Sequence, residues 1–485
     1  MSIETIRAYP GSVRTRGDST FYMADSGDGG LLAVSGSDAA LFKGDDVTRQ
    51  GKTTRLCPLT VENSKALRKL FDFTNPVSHK GHGITIGLGD RLGLASAGHI
   101  RLIRDLDIFP VLAQQSMREL NLTGRTYEDV LASAVWAVFR EGYTKGYGAD
   151  GDHLKTSQEV KYALDCGYTM ITLDCSEHIR NDMAAAPPAE IDKHYAALPS
   201  AVTSALEGRY LGKSFPVGGQ ITVKFCEDEF RRIVLVYLPA IEHAVFVFDQ
   251  LLSKAGADFE VSIDETLTAT SPSSHFFVAN ELVRRGVSIS SLAPRFIGEF
   301  QKGIDYIGDI QEFGRDFLAH VKIAESFGYK ISVHSGSDKF SIFPIVGTLT
   351  GGRYHLKTAG TNWLEAVRVI SRYAPGLYRE LHAFALDNLP EAKKYYHITE
   401  DVANIACLDS VTDSELPGFL DQNDSRQVLH TTYGLILSAK AADGTPLFRD
   451  RIYKTLIAYE PEYFTALETH IGRHLTALGI KGETI

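Results

Sequence analysis

The sequence predicts an α/β fold: a (β/α)₈ TIM-like barrel with a mixed N-terminal appendage, a helical insertion and a helical C-terminal extension. Three observations point there. Eight short apolar runs between residues 83 and 360 alternate with helix-compatible segments. Polar and Gly-rich residues follow these runs, as they do at the mouth of such a barrel. Residues capable of chemistry are spread over many strand ends rather than gathered at one switch point, which disfavours an open doubly wound sheet.

Residues 1–80, rich in Gly, Ser and Asp, read as small strands and turns forming the appendage. The barrel is expected over 81–360. Its strands are predicted at 83–89, 109–115, 137–150 (only partly strand), 168–174, 258–265, 291–299, 329–336 and 353–360. Between them, 157–166 begins with Ser157, a residue that caps helices. Residues 311–327 form the clearest amphipathic helix, with Phe313, Phe317, Leu318, Val321, Ile323 and Ala324 mostly on one face. The segment 176–257 reads as the helical insertion, and 361–485 as a helical extension packed on the barrel.

The bulk composition narrows the function. The chain has 485 residues, 44% of them hydrophobic, and a net charge of −10 with no block of Lys or Arg, which argues against a nucleic-acid partner. Five scattered cysteines without a CxxC pair indicate neither a disulfide framework nor a structural zinc site, and suit a cytoplasmic location. No secretory signal is visible at the N-terminus. The most apolar stretch, 233–252, is interrupted by Pro239, Glu242, His243 and Asp249, so it reads as a buried element rather than a membrane span.

The strand ends carry the functional argument. The stretch GADGDHLKT from Gly148 delivers Asp150, Asp152 and His153. Elsewhere the ends supply Asp90 and Arg91, Gln114 and Gln115, Asp174, Asp264 and Glu265, Arg295, His334 through Lys339, then His355 and Lys357. Any one histidine alone reads as a hydrogen-bonded core residue. Three of them, His153, His334 and His355, at ends of different strands around one mouth, read as ligands of a divalent metal, with Mn, Ni, Co and Zn all compatible. Asp152 and Glu265, from the third and fifth strands, are placed to face each other as an acid/base pair, unless either is spent in a structural ion pair. Gln114, Asp174, Arg295, Lys339 and Lys357 are candidate substrate-binding residues. The lysines sit in Gly- and Ser-rich loops that suit a substrate carboxylate or phosphate. Asp174 has a structural alternative as a turn cap. GLGDRLGLA lacks GxGxxG, so a dinucleotide site is unsupported. His194, His243, His382 and His430 read as structural, although His430 is free to return to the mouth. Adjacent strand residues point to opposite faces, so Asp152 and His153 serve one site only if the chain leaves regular strand geometry there.

The strings GLGDRLGLASAGH, FPVLAQQSMRE, EGYTKGYGADGDHLK, VSIDETLTATSP, ISVHSGSDKFSIFP and HLKTAGTNWLEAVRVIS resemble, closely and in order, the tagaturonate epimerase family. The resemblance runs from about residue 80 into the extension. It implies interconversion of D-tagaturonate and D-fructuronate with a divalent metal ion, and a small-molecule ketouronate as partner; homo-oligomer formation is left open. It places the acid/base pair on Asp152 and Glu265 and the metal on His153, His334 and His355, with His275 as a further candidate ligand. The two ketouronates differ at C4, which adjoins neither the C2 ketone nor the C6 carboxylate. Direct deprotonation there would leave an unstabilised carbanion. Retro-aldol cleavage of C3–C4, with the metal at the C2 oxygen and two carboxylates moving the proton, avoids it. The alternatives are a ketohexose 4-epimerase, isomerase or aldolase on the same scaffold, or an inactive sugar-acid-binding protein.

Overall fold

The computed structural model describes residues 7–25, 27, 29–49, 51–358 and 360–480. Eight parallel strands close into a barrel in chain order: β1 (Ile84–Gly87), β2 (Phe109–Ser116), β3 (Gly148–Leu154), β4 (Met170–Asp174), β5 (Asp258–Ile263), β6 (Ser291–Pro294), β7 (Lys330–Val333) and β8 (Tyr354–Lys357), with β8 paired back to β1. Helices on the outside connect them, which is the architecture expected for alternating β and α segments.

Local chemistry explains the connecting helices. Thr156 caps Ser157–Asp165 in a reciprocal capping box with Glu159. Asp309 caps Ile310–Phe327, which Gly328 ends in the left-handed conformation. The same logic corrects the third strand. Residues 137–141 belong to a helix, Tyr127–Glu141, opened by a capping box between Thr126 and Asp129 and closed at Gly142. Its apolar face, including Val135, Val138 and Phe139, packs into the core. The strand therefore begins at Gly148, and GADGDHL is the strand itself rather than a loop beyond its end.

Three regions decorate the barrel. A six-stranded sheet over residues 7–57, extended by the helix Val61–Leu70, covers one side. Between β4 and β5 lie short helices, the hairpin Ser214–Val217/Ile221–Lys224 and the long helix Glu227–Val247. That helix, continued to Leu252, has the length and apolar composition to cross a membrane, but Phe230, Val234, Ile241, Ala244 and Val247 are buried against the fold. After β8 the chain is helical to Ala477. The five cysteines are free.

Candidate active site

The site grows from one irregularity. Along β3, Asp150 and Asp152 point into the barrel, while Gly151 faces out. A Cβ on Gly151 would lie 2.9 Å from Leu154 and 3.0 Å from Ala163, so only glycine lets the following helix pack this closely. Between Gly151 and Leu154 the register against β4 shifts, and His153 takes φ 53°, a conformation rare for a non-glycine residue. The bulge swings His153 onto the same side as Asp152, and its Nδ1 lies 2.7 Å from Asp152 Oδ1. The departure from strand geometry that a shared site required is thus present.

Below the mouth, one ammonium serves three carboxylates. Lys357 Nζ lies 3.0 Å from Asp150, 2.6 Å from Asp152 and 3.0 Å from Glu260, and donates to Thr172 Oγ1 at 2.6 Å. Ser291 donates to the other oxygen of Glu260 at 2.5 Å. Burial pushes Asp150 up to about 6 even with Lys357 beside it. Burial acts on Asp152 too, but His153 and Lys357 outweigh it and hold the carboxyl well below its ordinary range. Burial would pull His153 down, yet Asp152 overrides it and lifts the imidazole to about 10.

Three donors converge above this layer. His153, Asp264 and His334 place one ligand atom each within 4.8 Å of one another. They come from β3, the residue just past β5 and the residue just past β7. Both imidazoles are oriented by a carboxylate: His334 Nε2 is 2.8 Å from Glu260, and His153 Nδ1 is 2.7 Å from Asp152. That leaves His334 Nδ1, buried and without a hydrogen-bond partner among the described residues, 3.1 Å from Asp264 Oδ2. Two imidazoles fixed by carboxylates and aimed with a third carboxylate at one point suit a divalent ion of the kind that takes nitrogen and oxygen donors. Without an ion, burial lowers His334 but Asp264 more than compensates, so its pKa is raised.

Several expected residues lie elsewhere. His355 is not in this set. It precedes Lys357 by two residues, so it faces inward one layer deeper, toward the opposite end of the barrel. There its Nδ1 is 2.8 Å from Thr85 Oγ1 and its ring is parallel to that of His79. His275 is on an outer helix, hydrogen-bonded to His320 and Tyr329, with no exposure. Lys339 is buried and spends its ammonium protons on the carbonyls of Gln301, Ile304 and Ser337 at 2.9, 2.6 and 3.0 Å, so it is no free anion ligand. Lys357 is a counter-ion of the carboxylate layer. Asp174 accepts from the Ser176 backbone at 2.8 Å, the turn-capping role, with Lys155 3.6 Å away. Asp90 accepts from the backbone N–H groups of Leu92, Gly93, Ala95 and Ser96, which uses up the loop donors that a phosphate would need.

Other candidates stay at the mouth. Gln114 keeps both amide atoms buried and unpartnered among the described residues. Arg295 is half-buried just past β6, its backbone paired with Thr270. Glu265 is exposed just past β5. Sequence reasoning left Asp264 without a ligand role and missed Glu260 altogether. Its only signal was an acid in the middle of an apolar strand, a position that demands a buried cation or imidazole.

The geometry has a family to go with it. The tagaturonate epimerase family profile matches residues 9–478. The chain belongs to the tagaturonate epimerase family. It is 40% identical over 476 residues to the tagaturonate/fructuronate epimerase of Thermotoga maritima, covering 97% of this chain and 96% of that one. It is 49% identical to the fructuronate-tagaturonate epimerase of Cohnella laeviribosi. The native crystal structure of that protein superposes with a TM-score of 0.96, over 99% of this chain and 98% of that one. A glycerol complex of the same protein gives 0.95, over 98% and 97%. As a tagaturonate epimerase family member, the chain is an isomerase-class enzyme with this barrel.

In this family member the last helix, Glu460–Ala477, is tied to the loop after β7. Asp338, held at φ 61°, is 2.8 Å from His470 Nε2 and 2.8 Å from Arg426 Nη2. The Asp338 N–H donates to His474 Nε2 at 3.0 Å, and His474 Nδ1 faces the His470 carbonyl at 2.9 Å. Asp338, His470 and His474 are close enough to hold a metal. The lone pair of His474 is already engaged by a backbone N–H, so we interpret the group as a latch.

Proposed function

We propose that the protein interconverts D-tagaturonate and D-fructuronate at C4 with a divalent metal ion, by retro-aldol cleavage and re-addition. The observation that carries the reading is the convergence of His153, Asp264 and His334 beside Asp152 at the barrel mouth. An ion held by these three would supply Lewis acidity to an oxygen of the substrate, which cleavage of C3–C4 requires.

The chain's own groups then have distinct tasks. Asp152 stays ionised, because His153 and Lys357 both bind its Oδ1. Its Oδ2 takes no hydrogen bond among the described residues and is left for the C4 hydroxyl proton. Glu265, exposed just past β5, returns a proton after the aldehyde fragment has turned over. Gln114 offers an unspent amide to a substrate hydroxyl, and Arg295 a guanidinium. Glu260 does not meet substrate; it fixes the His334 ring.

The test combines metal and isotope. Chelation should abolish interconversion of the two ketouronates, and Mn, Ni, Co or Zn should restore it. In D₂O, C4 should stay free of solvent deuterium. Label entering C4 would replace the retro-aldol route with direct deprotonation, and full activity after exhaustive chelation would remove the metal from the reaction.

A further inference from the structure

The lysines expected to recognise an anion are both spent, yet the mouth retains positive charge of its own. Lys302, in the loop after β6, is half-buried and donates to Ser335 Oγ at 2.9 Å, the residue next to His334. No carboxylate lies within ion-pair distance of its ammonium among the described residues. Burial and the neighbouring charges of Arg91 and Arg118 make that ammonium harder to keep charged.

Around it stand buried groups with nothing to bind. Arg91 is 5% exposed. It pairs with Glu119 at 2.6 Å and lies 3.9 Å above the Tyr433 ring, yet its Nη1 has no partner among the described residues. His430 is 2% exposed, and both its ring nitrogens are buried and unpartnered. Its ring is wedged between two loops: a Cβ on Gly360 would lie 2.2 Å from Nε2, and one on Gly303 would lie 3.4 Å from Nδ1. Glycine at 360 is what lets a side chain from the C-terminal extension reach the mouth. Arg91 and Lys302 are the charges that act most strongly on that ring. The Arg91 Nη1 and both His430 ring nitrogens, on separate elements beside the Lys302–Ser335 contact, are costly to leave unpaired.

We propose that Lys302, Arg91 and His430 form the subsite that receives the substrate's C6 carboxylate, and so make the enzyme select sugar acids over neutral ketohexoses. This rests on the epimerase reading above. Four C–C bonds separate C2 from C6, about 5 Å when extended. A sugar acid with C2 at the His153, Asp264 and His334 centre would thus carry its carboxylate away from that centre, toward the point where Lys302 meets Ser335. The carboxylate takes no part in bond breaking, so the subsite contributes binding that is equal in ground and transition states.

The test is steady-state kinetics of the full-length, metal-loaded enzyme on D-fructuronate, with Lys302→Met and Lys302→Arg variants checked for unchanged melting temperature. Fructuronate KM should rise about 10- to 100-fold in Lys302→Met, with kcat changed less than about threefold. Lys302→Arg should recover most of the loss. Inorganic phosphate should compete with fructuronate in the wild type and lose at least tenfold in inhibition constant in Lys302→Met. An unchanged KM in Lys302→Met, or a fall confined to kcat, overturns the subsite. If Lys302→Met does not fold, the same KM comparison on Lys302→Gln and His430→Gln decides. Absence of fructuronate turnover by the wild type would instead refute the epimerase reading.

Discussion

Replacing Lys357 with Met should destabilise the protein measurably at high pH and much less at low pH. The side chain is 6% exposed, and its ammonium is the shared cation of Asp150, Asp152 and Glu260 at 3.0, 2.6 and 3.0 Å. Methionine fills the space but leaves buried carboxylates without a counter-charge, a loss of about 3–5 kcal/mol. For a chain of this size the unfolding entropy makes that a fall in Tm of about 3–5 °C. The pH dependence follows from Asp150, already pushed up to about 6 from an ordinary 3.8. A raised carboxyl pKa means the folded state holds a proton that the unfolded state has lost, so this contribution improves as pH falls through 6 toward 3.8. Without Lys357 the carboxyls rise further, and protonation relieves the repulsion. Thermal melts of the chelator-treated protein at pH 8 and pH 5, wild type against variant, measure this directly. A Tm change below about 1 °C at pH 8, or an equal loss at both pH values, would refute the account of Lys357 as counter-ion.

Other expectations rest on the same geometry. Asp152→Asn and Glu265→Gln should each lower kcat about 10²- to 10⁴-fold. Asp152→Asn alone should also weaken metal binding, because Asp152 orients His153; metal analysis of both purified variants separates the effects. Glu260→Gln should weaken metal affinity about 10- to 100-fold without touching substrate, whereas His334→Ala should abolish stoichiometric binding, both read by calorimetry. Before an ion enters, Asp152 lifts His153 to about 10 and keeps it protonated at pH 7, and Asp264 favours the protonated form of His334 as well. Metal must displace those protons, so affinity should climb as pH rises from 6 to 8. Calorimetry in buffers of different ionisation enthalpy should count the protons released, and a count of zero would contradict the ligand assignment.

Most of the barrel was legible because each strand is a short apolar run bounded by turn residues, and the polar mouth followed from it. The third strand was misplaced at its start because the apolar face of the helix Tyr127–Glu141 runs almost into it, and periodicity does not separate the two. His153 and His334 were legible as mouth residues because they stand at strand ends. His355 looked equivalent, but it sits two residues before the end of β8, and one layer of depth is invisible without the register. Lys339 and Lys357 were read as free charges; Lys357 lies below the mouth, and most of the carbonyls and carboxylates that hold the two lysines lie far away in sequence. His430 could be reached only through Gly360, which admits its ring from 70 residues away in sequence.

The latch around Asp338 bears on how the enzyme is made. All eight strands have left the ribosome once Lys357 has, yet Arg426, His470 and His474 emerge about 70 to 120 residues later. Until then Asp338 is a carboxylate on the loop after β7 without its cations, and the mouth lacks His430. Synthesis therefore delivers all eight strands before it delivers the partners of this loop. Asp338 gains Arg426 first and the two histidines of the last helix only at the end, so the loop after β7 is the last part of the mouth to be tied down.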